Sequence, residues 1–231
     1  MIKINSFPDP IIEYNFENVY PPSDDTYLLI DYFKESVNER YFDGINIKYI
    51  KNILDLGTGT GIIAIFFQLI TQNFVNFNPK IYASDILEEA LICAKLNEKL
   101  NGIKKKITFI KSDLFKSFPL NLKTTFDIIM FNPPYLPSLD DLNEKERELN
   151  IDYSWNGGIK GYELVLKFIE QARQFLNLHH KCYIYFINSS RTNLNDFNYI
   201  LKQKGYENEI LNKKHVFFED IILNRLTLRK N

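Results

Sequence analysis

Lys51-Asn-Ile-Leu-Asp-Leu-Gly-Thr-Gly-Thr-Gly61 is the stretch on which the fold turns. Its first half is an apolar run of strand length, its second half sets glycine at alternate positions, and residues 62–71 continue as an apolar helical run. Strand, glycine turn and helix in that order form the opening unit of an α/β layer arrangement. Downstream, Lys80-Ile-Tyr-Ala-Ser-Asp85 repeats the strand pattern, and residues 87–101 carry apolar Ala90, Leu91, Ala94 and Leu100 among charges until Gly102 stops the helix. The alternation then continues with strands over 107–110, 126–131 and 182–187 and helices near 162–176 and 193–204. It predicts a doubly wound, mostly parallel sheet covered by helices. Two strand-like runs, 207–212 and 221–228, have no helix between them and predict an antiparallel hairpin at one edge. Upstream, Pro22-Ser-Asp-Asp25 followed by Leu29, Phe33 and Val37 at four-residue steps predicts a helix over 23–38. The first twenty residues read as an extended lead-in.

The chain has 231 residues, enough for one sizeable domain, and 1–231 is read as that domain. Hydrophobic residues at 45% with only nine glycines and nine prolines exclude the disordered and low-complexity classes. With 28 basic against 29 acidic side chains, no global positive field gathers phosphates, which disfavours a general nucleic-acid binder. The apolar run 62–67 is broken by Gln68, well short of a membrane span, and residues 1–10 lack the basic-then-apolar pattern of a secretory signal. The expected location is the cytoplasm. Cys93 and Cys182 are too few for a disulfide framework and read as core residues. His179, His180 and His215 stand outside every motif, and no metal site is expected.

A strand running into Gly57, Gly59 and Gly61 lets the backbone approach a ligand while a helix N-terminus points at the same place. The spacing is neither that of a dinucleotide loop nor that of a phosphate loop, which needs a lysine and a hydroxyl residue after the last glycine. Asp55, two residues before Gly57, would repel a pyrophosphate and welcome a cation. Asp85 ends the second strand, where a carboxylate accepts both hydroxyls of a ribose. A nucleoside bearing a positive group is implied, and S-adenosylmethionine has those parts without a phosphate. Asp113, after the third strand, is placed to accept from the adenine amine, with Leu114 supplying a backbone N–H.

The strand over 126–131 delivers Asn132-Pro-Pro-Tyr135 at its carboxyl end, where open sheets bind ligands. Pro133 and Pro134 fix φ and remove two backbone donors, leaving a rigid turn of acceptors. The Asn132 side-chain oxygen and the Pro133 carbonyl can each accept one N–H of a planar amine or amide, and Tyr135 can stack on the planar group. This turn by itself does not separate a glutamine amide from the exocyclic amine of adenine. A non-catalytic binder of S-adenosylmethionine is the rival of a different class, although an amine clamp is of no use to it.

Asp55-Leu-Gly-Thr-Gly-Thr-Gly61 together with Phe131-Asn-Pro-Pro-Tyr135 resembles the class I methyltransferases that modify planar nitrogens. Val19-Tyr-Pro-Pro-Ser-Asp-Asp-Thr26 and Trp155-Asn-Gly-Gly-Ile-Lys-Gly161 narrow the resemblance to the HemK-like glutamine methyltransferases of eukaryotes and archaea. Pro21 and Asp24 depart from the commoner glutamate of the first of these segments. The resemblance implies a Rossmann-like, seven-stranded sheet and methylation of the glutamine in the Gly-Gly-Gln motif of class I peptide-chain release factors. It implies that Thr26 binds the cofactor carboxylate, that Asp55 and Gly57 hold its ammonium and backbone, and that Asp85, Asp113 and Leu114 hold ribose and adenine. Asn132, Pro133, Pro134 and Tyr135 would hold the target amide. A small zinc-binding activator protein is also implied, at an edge strand expected over 104–110 with Ile107 and Phe109 displayed. The acidic stretch 136–150 beside the turn suits a basic protein loop better than a phosphate backbone.

Overall fold

A computed structural model describes residues 7–136 and 157–229. Helix α1 (Asp24–Ser36) opens with Asp24 and Asp25 in its first turn, where carboxylates meet the positive end of the helix dipole. It buries Leu28, Leu29, Ile30 and Phe33. A short antiparallel pair follows, β1 (Tyr41–Phe42) and β2 (Ile45–Asn46), which sequence reading missed. Its turn is Asp43-Gly44 with both residues at positive φ, the pattern of a two-residue hairpin.

The main sheet is built from β3 (Asn52–Leu56), β4 (Lys80–Asp85), β5 (Thr108–Lys111), β6 (Ile128–Phe131), β7 (Tyr183–Ser189), β8 (Tyr206–Val216) and β9 (Glu219–Leu228). Helices α2 (Ile62–Asn73), α3 (Glu88–Leu100), α4 (Glu163–Ala172) and α5 (Leu194–Gln203) connect them. The strand order is β5-β4-β3-β6-β7-β9-β8, with the first five strands parallel and β9 antiparallel to both of its neighbours. The expected mixed sheet and edge hairpin are both present. From β3 the chain winds one way through β4 and β5 and then the other through β6 and β7. The crevice at the carboxyl ends of β3 and β6 is therefore a switch point, where doubly wound sheets bind ligands.

Both faces of the sheet are covered, which is why its parallel strands read as continuous apolar runs. Ile53, Ile81, Ile128, Met130 and Tyr185 face α1 and α2, whereas Leu54, Tyr82, Ile129, Phe131 and Phe186 face α4 and α5. The first face holds an aromatic knot of Phe33, Phe42, Phe67 and Tyr185, with ring centroids 5.1–6.3 Å apart. Burying each such ring contributes about 1.5–3 kcal/mol.

The lead-in runs along α3: the Ile11 and Glu13 amides donate to Asn101 and Asn97 at 2.8 and 2.9 Å, and Val19 packs with Ala90 and Cys93. Among the described residues it does not pair with the edge strand β5. One expectation for that edge is corrected. Ile107 is only 5% exposed, with its amide bonded to Glu98, because its alternation turns it into the core on the α2 side. Phe109 shares that face and is half-buried under the Lys95 ammonium. What β5 offers outward is its backbone edge. Among the described residues no helix is long and apolar enough to cross a membrane, and no group of three or more His, Cys, Asp or Glu could hold a metal.

Candidate functional site

The loop after β3 has Gly57, Gly59 and Gly61 all at positive φ, 65°, 53° and 82°. A Cβ on Gly57 would lie 2.9 Å from the Phe131 ring, so this turn rests directly on the end of β6. A Cβ on Gly61 would lie 2.8 Å from that of Ala94, and the Gly61 amide already donates to the Thr58 carbonyl. Gly61 is thus a packing contact between loop and α3. The Thr58 amide donates to Ser84 at 2.9 Å and the Gly59 amide to the Asp85 carboxylate at 2.9 Å, lacing the loop to the end of β4.

Asp55 is 1% exposed, and its Oδ2 accepts from the Thr58 hydroxyl at 2.6 Å and the Ala64 amide at 3.2 Å. Burial outweighs these bonds and pushes its carboxyl up to about 7, with the nearby Asp85 charge adding to the rise. Asp85 is likewise raised by burial, although the Leu87, Gly59 and Ile86 amides oppose the rise. Two buried carboxylates in contact with one glycine loop suit a cation and hydroxyl donors. Asp113 is different: it is half-exposed, and its bond to Lys116 holds its carboxyl below the usual range. Leu114 beside it is buried and takes φ 48°.

At the end of β6, Asn132 donates from Nδ2 to the Thr26 hydroxyl at 3.4 Å. Its Oδ1 is buried and has no partner among the described residues. An unmet buried acceptor costs about 1–3 kcal/mol, so an arriving N–H donor is favoured there. The Pro134 carbonyl lies against Gly157, where a Cβ would come within 2.9 Å, and the Gly157 amide donates to the Leu136 carbonyl. The glycine segment after the turn is therefore its structural backing. Tyr135 is 8% exposed, packed in the core, and its hydroxyl donates to Asp25 at 3.3 Å. Burial, together with the Asp25 carboxylate, raises that hydroxyl well above its ordinary value. The bond to Asp25 anchors Tyr135 to α1.

The fold thus gathers two sets, Thr26, Asn132 and Tyr135 bonded around Asp25, and Asp55, Gly59 and Asp85 around the glycine loop, with Gly57 resting on Phe131 next to Asn132. Asp25 was read from the sequence only as a helix-start acid. It proves to be a buried hub that also accepts from Tyr20 at 3.4 Å. The signal was its place beside Thr26 in the quoted Tyr20–Thr26 segment. Trp155 and Asn156, and positions 137–150 of the acidic stretch, lie outside the described residues.

A family model described as a methyltransferase domain matches residues 47–204. A Methanocaldococcus jannaschii protein bearing the name of a protein N5-glutamine methyltransferase is 31% identical over 205 residues, covering 89% of each chain. The release factor glutamine methyltransferase of Leptospira interrogans is 33% identical over 70% of this chain, which spans 48% of that protein, about half its length. Among solved structures, a chain of the E. cuniculi Mtq2–Trm112 complex, described as responsible for methylation of the eRF1 translation termination factor, superposes with a TM-score of 0.60. The two are 21% identical, and the match covers 92% of this chain and 99% of that one. At that identity the likeness speaks for the fold.

Proposed function

This chain belongs to the methyltransferase-domain family, and from that premise we propose that it methylates the glutamine side-chain nitrogen in the Gly-Gly-Gln motif of a class I peptide-chain release factor, with S-adenosylmethionine as donor. The observation that carries the acceptor half is the buried Asn132 Oδ1 at the switch point, an acceptor without a donor among the described residues. A primary amide brings two N–H groups, and Asn132 Oδ1 and the Pro133 carbonyl would take one each.

The residues present suit the cofactor. Asp55 and Asp85 are buried carboxylates whose ionisation burial opposes, so a ligand bringing an ammonium and two ribose hydroxyls would relieve both. Asp113 and Leu114 would stand at the adenine. When bound, the cofactor supplies an activated methyl group on a sulfonium. An amide nitrogen is a weak nucleophile because its lone pair is delocalised, so the protein's contribution is chiefly alignment, which in favourable cases supplies about 7–11 kcal/mol. The bonds to Asn132 and Pro133 strengthen as the nitrogen becomes positive, before it sheds a proton.

The formal charge of -1 supports a protein substrate over a phosphate backbone. The edge of β5, unpaired among the described residues, supports a small partner protein there, for which a zinc-binding activator is the reading. Two cores on opposite faces of one sheet support a single methyltransferase domain over 1–231, and a role in translation termination supports a cytoplasmic location. The test is tandem mass spectrometry of a purified release factor after incubation with chain and cofactor. One methyl on the Gly-Gly-Gln side-chain nitrogen is expected; a methyl carried only by a lysine would overturn the reading.

A further inference from the structure

We propose that Asp25 is a positioning residue that sets which way round the Asn132 amide stands, an inference that rests on the acceptor reading above. The Asp25 carboxylate is 3% exposed and receives four donors. Oδ1 accepts from the Thr26 amide at 2.6 Å and from the Thr26 hydroxyl at 3.1 Å. Oδ2 accepts from the hydroxyls of Tyr20 at 3.4 Å and Tyr135 at 3.3 Å. A hydroxyl has one hydrogen. Once Thr26 gives it to Asp25, its oxygen can only accept, and what it accepts is the Asn132 Nδ2–H.

The reversed amide would set Oδ1 against an oxygen with no hydrogen to offer. Asp25 therefore commits Nδ2 to Thr26 and leaves Oδ1 for the target N–H, and a flipped Asn132 would meet the target donor to donor. The same carboxylate ties both ends of the turn 132–135, Tyr135 directly and Asn132 through the Thr26 hydroxyl, with Pro133 and Pro134 stiffening the span between. An asparagine at 25 would keep its oxygen on the Thr26 amide and still take the Thr26 hydroxyl hydrogen, whereas an alanine there leaves that hydrogen free, so the Thr26 hydroxyl is no longer forced to accept.

The experiment compares wild type, Thr26→Val, Thr26→Ser and Asp25→Ala, measuring kcat at saturating cofactor, release-factor KM, Tm, and the Asn132 side-chain amide signals by 15N NMR without substrate. Thr26→Val should keep a folded Tm, lower kcat by about 10-fold to 10²-fold, and replace one Asn132 amide environment by two. Asp25→Ala should likewise split the Asn132 signal, whereas Thr26→Ser keeps the relay and should stay within a few-fold of wild type. Wild-type kcat in a folded Thr26→Val, or a single unchanged Asn132 environment in a folded Asp25→Ala, would overturn the proposal. If wild type methylates no release factor, the proposed function fails, and the NMR signals still decide Asp25. If Asp25→Ala does not fold, Thr26→Val decides in its place, and an unchanged Asn132 signal there overturns the relay.

Discussion

The two halves of the site are built on different principles. In the cofactor half, both carboxylates and the loop are met nearby, Asp85 by the amides of Gly59 and Leu87, Asp55 by Thr58 and Ala64, and the Thr58 amide by the Ser84 carbonyl, while the Ser84 hydroxyl has no partner among the described residues. In the acceptor half, Asn132 and Tyr135 are held by side chains from α1, more than a hundred residues earlier, and one buried oxygen is unmet among the described residues. The first half is a strand-loop-helix device able to form from local sequence. The second exists only once α1 has docked on the sheet. It follows that the halves should fail separately.

The sharpest separation is expected from Asn132→Ala. Losing an acceptor that acts on charge developing in the transition state should cost about 10²–10³-fold in kcat, with cofactor affinity by calorimetry changed only a few-fold. Parallel loss of both would break the comparison. Asp85→Ala is the converse. Removing charged hydrogen bonds of about 1.5–3 kcal/mol should weaken cofactor binding by about 10- to 150-fold, while kcat at saturation falls much less. Gly57→Ala forces an L residue into φ 65° and a Cβ to 2.9 Å from Phe131. It should lower stability by about 1–2 kcal/mol and Tm, by calorimetry, by about 2–8 °C.

The smallest effect is a pH dependence. With Asp55 raised to about 7 in the free protein, a bound ammonium favours the carboxylate, so binding below that pH must expel a proton. Cofactor affinity should rise from pH 6 to about 7.5 and fall again once the cofactor's own amino group, near about 8, loses its proton. Asp55→Asn should abolish the rising limb and keep the falling one.

The same contrast governs what could be read from the sequence. Strand periods and the glycine turn are local, so the sheet, its edge hairpin and the strand-end acids Asp55 and Asp85 were all legible. So was Asn132, because Pro133 and Pro134 mark a rigid turn at a strand end. Ile107 was misread because an edge strand exposes its backbone, while its alternate side chains still enter the core. The bond between Asp25 and Tyr135 was missed because it depends on where α1 crosses the end of β6. The Asp43-Gly44 hairpin was missed because its two-residue strands are too short to show a period. It is held by tertiary bonds, from Asp43 to Arg225 at 2.5 Å and from the Tyr185 hydroxyl to Asp43 at 2.6 Å.

The most direct measurement is transfer of labelled methyl from S-adenosylmethionine, run in parallel on a class I release factor with Gly-Gly-Gln, on its Gly-Gly-Asn form and on duplex DNA. Label on the Gly-Gly-Gln form alone is the expected result, because the two halves together fit a protein amide delivered to the end of β6. Label on the DNA, or equal label on both forms of the release factor, would contradict it.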